Sequence, residues 1–227
     1  MRQCIIRDLG RLGYNEALVV QHEIEAERKL GLGTDHLLFV EHPHVVTIGR
    51  NGHEENVLAT GAFLEQQGVE LHETDRGGDV TYHGPGQVVG YPIMDLRNWK
   101  RDVGAFVRSI EQVLIDTLEE FGIRARRITG LTGVWTGEGD QAAKIAAIGV
   151  HLSRWVSTHG WALNVATDLR YFGYIVPCGL TRPVTSMERL GVRASMDEVK
   201  SALAHHFTRI FDFEASLVGA GTGELLK

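Results

Sequence analysis

The stretch KIAAIGVHLSRWVSTHGWALNV, residues 144–165, contains two predicted strands that follow one another with no helix between them. The first covers residues 144–152 and the second covers residues 156–165, and their Ile, Val, Thr and Trp residues are typical of strands. A doubly wound parallel sheet requires a crossover, usually a helix, between successive strands. This stretch therefore favours a mixed or antiparallel sheet.

The rest of the chain supplies further strands and four predicted helices. Hydrophobic periodicity predicts helices over residues 15–30, 62–67, 103–121 and 196–211, and Asp102 and Ser195 are suitable N-caps for the last two. Strands are predicted over residues 37–42, 45–50, 69–75, 79–84, 88–96, 126–128 and 133–136. Because strands and helices do not alternate strictly, we predict an α/β (α+β) fold in which a single mixed or antiparallel sheet is flanked by helices.

Length and composition indicate one globular domain over residues 1–227, in which residues 216–227 carry no recognisable motif. The hydrophobic fraction of 43% and the charged fraction of 23% are ordinary for a folded domain. No apolar run approaches the roughly 18 residues of a membrane span, and the N-terminus lacks the apolar segment of a secretion signal. We therefore expect a cytoplasmic protein with no membrane association.

The formal net charge of −6 argues against a nucleic-acid-binding protein. Positive charge is nevertheless concentrated in two clusters. The first cluster is Arg97, Lys100 and Arg101, and the second cluster is Arg124, Arg126 and Arg127. Such clusters are commonly solvated surface, but they also suit an acidic protein partner.

The segment RGGDVTYHGPGQ, residues 76–87, has four glycines and a proline among its twelve residues. Glycines permit a close backbone approach, so the loop is suited to holding a ligand against its amide groups. The alternative is that the glycines only separate two strands. The segment lacks the Lys-Ser or Lys-Thr ending of a phosphate-binding P-loop.

Two residues are candidates for chemistry. Cys178 lies in VPCGL, where the small neighbours of a Pro–Gly turn leave a sulfur approachable, although a lone cysteine is often only a small buried residue. Lys144 begins an otherwise apolar strand, which is either a solvent-facing strand end or a lysine that faces a pocket. A cysteine and a lysine in one pocket form a pair that shares a proton. Cys4, beside Ile5 and Ile6, fits a buried structural position.

Other classes of site have less support. His42 and His44 share a strand face, but no third ligand is evident, so no metal site is predicted. No GxSxG sequence marks a serine hydrolase. The small residues Gly160 and Ala162 instead leave a slot between strands in which an alkyl chain fits.

Four segments together, RGGDVTYHGPGQ, KIAAIGV, HGWALN and PCGLTRPVTSM, resemble the octanoyl-[acyl-carrier-protein]–protein N-octanoyltransferases of the lipoate-protein ligase B family. The resemblance extends from residue 10 through the VTS segment, with the segments in the family's order. Met187 stands where leucine is expected, a change that conserves volume. The resemblance implies the fold of lipoate and biotin ligase catalytic domains.

The resemblance also implies the residues of the site. The family's nucleophile, which carries an acyl-thioester intermediate, corresponds to Cys178, and the lysine that lowers its pKa or acts as a general base corresponds to Lys144. The substrate-binding segments of the family correspond to Arg76, Gly77, Gly78, Asp79, Val80, Thr81, Tyr82, His83, Ala147, Ile148, Gly149, Gly160, Trp161 and Ala162. Of these, Val80, Tyr82, Ala147, Ile148, Trp161 and Ala162 are expected to line the acyl pocket.

The implied activity is a lipoyl(octanoyl) transferase, an acyltransferase that performs the first committed step of endogenous protein lipoylation. Its donor is octanoyl-acyl carrier protein, with octanoyl (also lipoyl) on phosphopantetheine. Its acceptors are apo-lipoyl domains of 2-oxoacid dehydrogenase complexes and the glycine cleavage H protein. No bound cofactor, ATP or metal is expected, because thioester exchange followed by amide formation needs no activation. The alternatives are an ATP-dependent lipoate or biotin-type ligase and a non-catalytic acyl-binding protein.

Overall fold

The computed structural model describes residues 2–176 and 182–218, and within them the hairpin of residues 144–165 lies inside a large mixed sheet. The described strands are β1 (Arg2–Arg11), β2 (Asp35–Glu41), β3 (Val45–Ile48), β4 (Glu70–Glu73), β5 (Val80–His83), β6 (Gln87–Ile93), β7 (Ala125–Ile128), β8 (Leu131–Thr136), β9 (Ala143–Ser153), β10 (Val156–Asn164) and β11 (Phe213–Val218). Eight of them form one sheet in the order β11-β1-β2-β6-β10-β9-β8-β7. The hairpin strands β9 and β10 are therefore interior strands.

Strand directions confirm the predicted mixed sheet. The pairs β11–β1 and β1–β2 are parallel, and every pair from β2 across to β7 is antiparallel. The prediction of a single sheet is wrong, because β4, β3 and β5 pair among themselves as a separate three-stranded sheet. Each of these strands is short, and its local sequence does not specify which partner it pairs with.

The helices α1 (Tyr14–Lys29), α2 (Gly61–Gln66), α3 (Val103–Glu120) and α4 (Met196–Phe211) lie close to the predicted ranges. As predicted, the side chains of Asp102 and Ser195 accept hydrogen bonds from backbone amides in the first turns of α3 and α4. Helices α3 and α4 pack on one face of the large sheet and form the main core, whereas α1 packs on the opposite face. The face that α1 covers only in part is the one that carries the candidate site.

The turn between β9 and β10 consists of Arg154 and Trp155, whose φ angles of 51° and 69° are both positive. Two-residue hairpin turns of this kind favour Asn-Gly, because positive φ strains other side chains. The register of the hairpin holds the turn in place, since Val156 pairs with Ser153 and the Trp155 carbonyl accepts from the Leu96 amide at 2.8 Å. The strain is therefore offset by tertiary contacts that the turn sequence does not reveal.

The two ends of the described chain meet in the sheet. Strand β11 pairs with β1 in parallel, so the sheet includes the first residues of the C-terminal segment that carries no motif. Among the described residues, no helix has the length and apolar character that a membrane span requires.

Candidate active site

A narrow pocket, here called the hairpin pocket, runs along one face of β9 and β10. Its outer part lies at the Lys144 end, and its inner part lies at the Gly149 end. The outer part is lined by Thr81, Gln87, Lys144, Ala147, Ala162, Asn164, Phe172 and Val184. The inner part is lined by Tyr14, Arg76, Gly78, Thr81, His83, Val89, Tyr91, Ala147, Ile148, Gly149, His159, Gly160, Trp161 and Ala162. Thr81, Ala147 and Ala162 border both parts, so the two parts lie next to each other.

The pocket exists because the hairpin places its smallest residues on one face. Ala147 pairs with Ala162, and Gly149 pairs with Gly160. The residues between them, Ile148 and Trp161, belong to or pack against the core beneath α3 and α4, although both also border the inner part of the pocket. The Trp161 ring lies 6.2 Å from that of Phe207, so its bulk packs among the core residues. Alternation thus separates a packed face from an open one.

The loop of residues 76–79 closes the inner part of the pocket over Gly149. The Gly77 amide donates to the Val150 carbonyl at 3.0 Å, and a Cβ at Gly149 would lie 2.6 Å from the Gly77 oxygen. The buried Arg76 guanidinium fixes the loop by donating to the Thr47 side chain and to the Thr47, Gly77 and Asp79 carbonyls. Arg76 therefore organises the inner wall, at the opposite end from Lys144.

Alternation separates the predicted pocket residues of β5 into two groups. Thr81 and His83 line the hairpin pocket. Val80 and Tyr82 instead belong to the core of the small sheet, where the Tyr82 ring stacks on Tyr171 at 5.2 Å and its hydroxyl pairs with His44. Their side chains are not among the described pocket lining, so the expectation that they contact an alkyl chain there is corrected. Successive side chains of a strand point to opposite faces.

A β-bulge directs Lys144 into the pocket. Val134 pairs with Ala146 and Trp135 pairs with Lys144, so Ile145 is an extra residue in β9. Both Ile145 and Ala146 lie in the main core. If β9 alternated regularly, Lys144 and Ala146, which are two residues apart, would point to the same face. A bulge commonly re-aims a side chain beside a functional site in this way.

The Lys144 backbone also anchors the segment that follows Cys178. Lys144 donates its amide to the Pro183 carbonyl and accepts from the Thr185 amide, both at 2.9 Å. On the other flank, the Val176 amide donates to the Asn56 carbonyl at 2.7 Å. Cys178 itself, the predicted nucleophile, lies in residues 177–181 and therefore outside the described residues.

A chain of buried hydrogen bonds connects the pocket to this segment. Asn164 donates its amide to the Thr185 carbonyl, so its oxygen accepts from Gln87 at 2.9 Å. The Gln87 amide also donates to the Tyr82 carbonyl, and the Gln87 oxygen pairs with His83 Nδ1 at 2.8 Å. With both Gln87 protons used, His83 Nδ1 carries the hydrogen and Nε2 is an acceptor.

The inner part of the pocket is bordered by neutral polar groups. Burial lowers the pKa of His83 to about 3, an effect that His42 reinforces, and burial lowers the pKa of His42 to about 4. His42 Nδ1 pairs with the Leu12 carbonyl and its Nε2 with the Tyr91 hydroxyl. Burial also lowers the pKa of His159, although Asp75 pairs with its Nε2 at 2.7 Å. These histidines therefore stay uncharged at neutral pH.

The neutral histidines make stability depend on pH. Because His42 and His83 bind a proton near pH 6.5 only when unfolded, lowering the pH from 7 to 5 should reduce the free energy of unfolding by about 2 kcal/mol for each. The loss of stability begins as the pH falls through 6.5, where the unfolded histidines bind protons. It continues until the folded histidines also bind protons, near pH 4 for His42 and near pH 3 for His83. Urea unfolding at pH 7, 6 and 5 measures it. His83→Gln should flatten the dependence, whereas His22→Asn, at an exposed position, should not. An unchanged urea midpoint between pH 7 and 5 would contradict the prediction.

Several lining residues were not singled out from the sequence. Trp135, Gln87, Asn164, Tyr91 and His159 all border or support the hairpin pocket. For Gln87 and Asn164 a signal existed, since each is a polar residue at or beside the end of a predicted strand. Among the described residues, no three His, Cys, Asp or Glu side chains are grouped as metal ligands would be.

The sheet and its pocket define the class of protein, which has the catalytic fold of lipoate and biotin protein ligases. A bipartite lipoate protein ligase from Thermoplasma acidophilum superposes with a TM-score of 0.71 and 18% identity, over 97% of this chain and 87% of that one. The biotin protein ligase from Aquifex aeolicus superposes with a TM-score of 0.52 and 12% identity, over 93% of this chain and 70% of that one. Likeness at such identities establishes the fold alone, and it confirms the predicted fold class.

The sequence identifies the family within this class. Residues 13–208 match the family described as the lipoyl protein ligase A/B catalytic domain. The octanoyltransferase of Solibacter usitatus is 64% identical over 224 residues, which is 97% of this chain and 100% of that protein. The chain therefore belongs to the lipoyl protein ligase A/B catalytic-domain family, as the four sequence segments predicted.

Proposed function

We propose that this protein is an octanoyltransferase, an acyltransferase that moves an octanoyl group onto a lysine of an acceptor protein in protein lipoylation. The observation that carries the proposal is a buried lysine, Lys144, at one end of a narrow pocket walled by alanine and glycine. The relatives that share the chain's sequence over nearly its full length are named for the same activity. From Lys144 to Gly149 the strand, which includes the extra residue Ile145, covers roughly 13 Å, more than an eight-carbon chain needs.

The reaction proceeds in two balanced steps. The Cys178 thiolate attacks the carbonyl carbon of the donor thioester, the bond from that carbon to the donor's sulfur breaks, and the departing donor thiolate takes a proton from the Lys144 ammonium. The acceptor lysine then attacks the Cys178 thioester as a free amine, an amide forms, and the Cys178 thiolate departs. An ammonium group beside the cysteine favours its thiolate, which is the role of Lys144 in the first step. In the second step the amine proton passes to neutral Lys144 or to the departing thiolate.

The donor is octanoyl-acyl carrier protein, and the acceptors are the apo-lipoyl domains of 2-oxoacid dehydrogenase complexes and the glycine cleavage H protein. Both steps exchange an activated acyl group, so neither ATP nor a metal takes part. The competing function is an ATP-dependent ligase, because lipoate ligases share this fold. The two functions differ in whether free octanoate with ATP is used.

The test is a transfer assay with purified octanoyl-acyl carrier protein and an apo-lipoyl domain, read by intact mass spectrometry. We expect the acceptor to gain one octanoyl group without ATP, and the enzyme alone to gain an octanoyl adduct when the acceptor is omitted. Transfer that requires ATP and uses free octanoate would establish the ligase instead. Binding of the donor with neither an adduct nor transfer would establish a non-catalytic acyl-binding protein.

Ala147→Leu should shorten the pocket where its outer and inner parts meet. If roughly four methylenes of octanoyl lose their burial at about 0.8 kcal/mol each, kcat/KM should fall roughly 200-fold. A butyryl donor, which does not reach past Ala147, should retain its rate and serves as the control. Equal losses for both donors would contradict this position for the chain.

We further propose that the carrier protein docks on the second basic cluster. Arg126 pairs with Trp135, which pairs with Lys144, so Arg126 is two strands, or about 10 Å, from the Lys144 strand. Its Nε donates to the Gly137 carbonyl, and Arg182 donates to the nearby Gly139 carbonyl. The first cluster lies beyond the opposite end of the hairpin, where Arg97 is engaged by Asp95 at 2.7 Å.

Arg126→Glu should therefore weaken use of octanoyl-acyl carrier protein by roughly tenfold and reduce the salt dependence of kcat/KM. The matched control is Arg101→Glu, which makes the same charge change in the first cluster. The readout is kcat/KM between 50 and 300 mM salt. This range includes 0.1 M, where the screening length is roughly 10 Å. A larger effect from Arg101→Glu, or salt-independent kinetics in the wild type, would contradict this docking surface.

A further inference from the structure

Lys144 occupies a slot that three features of β8 and β9 create together. The extra residue Ile145 turns the lysine away from the core. Gly133 lies beside the lysine stem, and its positive φ of 118° suits glycine; a Cβ there would lie only 2.7 Å from the Ala146 oxygen and in van der Waals contact with Lys144 Cε at 3.4 Å. Trp135, its cross-strand partner, presents its indole ring to the ammonium, with Nζ 4.8 Å from the ring centroid.

The ring at the end of this slot is rigid and dry. Trp135 is 1% exposed, and its Nε1 donates to the Leu131 carbonyl at 3.3 Å, which fixes the orientation of the indole. Lys144 is 8% exposed, so its charged form has lost most of its hydration. A tryptophan face is the strongest aromatic partner for an ammonium group, and the attraction grows as water is removed.

We propose that Trp135 is a positioning residue for the transfer reaction, because its ring holds the Lys144 side chain at the outer end of the hairpin pocket, where the proposed function requires its ammonium group. The proposal rests on the proposed function, in which Lys144 favours the Cys178 thiolate. Trp135 then acts on the nucleophile through Lys144.

The surroundings of Lys144 leave few other groups that titrate. The described residues that share the outer pocket with it are Thr81, Gln87, Ala147, Ala162, Asn164, Phe172 and Val184, all uncharged. His83, which reaches this region through Gln87, has a pKa lowered by burial to about 3 and stays neutral. Of the cationic side chains nearby, Arg182 lies on the flanking segment and Arg126 lies on β7.

The test measures the thiolate of Cys178 directly, as the rate of alkylation by iodoacetamide against pH. The chain has two cysteines, so a Cys4→Ser background leaves Cys178 as the sole thiol. Lys144→Met should raise the midpoint pH of the profile. Trp135→Leu should raise it by about one pH unit, a tenfold lower rate at neutral pH, and Trp135→Phe should raise it less because a ring remains.

A second measurement keeps the fold intact. Incorporating fluorinated tryptophans weakens the negative face of the indole without changing its shape. The midpoint should rise stepwise from tryptophan to monofluoro- to difluorotryptophan. The chain has four tryptophans, so the same series in a Trp135→Phe background is the control and should be flat.

The outcomes separate the two ideas. A Lys144→Met profile that matches the wild type would overturn the lysine–cysteine pairing of the proposed function. If Lys144→Met raises the midpoint pH, but folded Trp135→Leu and fluorotryptophan proteins keep the wild-type midpoint, the role of Trp135 alone is overturned. A midpoint pH that still rises stepwise with fluorination in the Trp135→Phe background would also overturn the role of Trp135.

Discussion

Cys178→Ser is expected to abolish the octanoyl adduct and to lower transfer by roughly 10³-fold or more, because a serine hydroxyl is far less nucleophilic at neutral pH than a thiolate. Intact mass spectrometry after mixing with octanoyl-acyl carrier protein, without acceptor, measures the adduct. Transfer kinetics with the acceptor measure the rate.

The matched control for this variant is Cys4→Ser. The Cys4 side chain is fully buried in β1, and burial raises the pKa of its thiol well above the ordinary value, with the nearby Asp35 adding to the effect. A protonated and inaccessible thiol does not attack a thioester, so Cys4→Ser should form the full adduct. An adduct that survives Cys178→Ser and disappears in Cys4→Ser would reject the proposed nucleophile.

Lys144→Met is expected to lower kcat/KM for octanoyl transfer by roughly 10²- to 10⁴-fold, the range that loss of a positioned charge or proton acceptor produces. Methionine has a stem of similar length, so it should occupy the slot over Gly133 and leave the sheet intact. The pocket should also remain, since Lys144 borders only its outer part. The donor should therefore still bind, and the loss should appear in kcat.

Two measurements decide the Lys144 prediction. The pH profile of Cys178 alkylation separates a charge effect, which shifts the midpoint, from a base effect, which slows only the transfer to the acceptor. Thermal unfolding checks that the variant is folded. A kcat close to that of the wild type would show that the lysine is not part of the reaction.

The structure gives a physical reason for keeping the lysine and the alkyl chain in one pocket. The small residues Ala147, Gly149, Gly160 and Ala162 line a path that is mostly apolar, and the lysine stands at one end of it. In the proposed function, an octanoyl chain in that path would exclude water from the reaction end. Charge interactions between the lysine and a thiolate are then stronger than they would be in water.

Local sequence was sufficient for much of the fold. Helices α3 and α4 begin where Asp102 and Ser195 cap them, because a capping hydrogen bond involves only neighbouring residues. The hairpin of residues 144–165 was likewise predictable from its strand-forming residues, although its Arg154–Trp155 turn carries no hairpin signal. The candidate nucleophile and lysine were identified from sequence motifs. Such motifs specify which reactive side chains are present but not how they are arranged in space.

Tertiary structure decided how these residues are arranged. The direction of Lys144 depends on a bulge at Ile145, which exists only because β8 pairs with β9 out of register. Which face of β5 borders the hairpin pocket depends on where the small sheet packs, and Val80 and Tyr82 lie on the other face, in the core of that sheet. The sequence determined the elements, the small-residue face and the reactive side chains, since these follow from local propensity and composition. Strand partners, register and the neighbours of Lys144 arise from contacts between segments far apart in the chain, which no local pattern specifies.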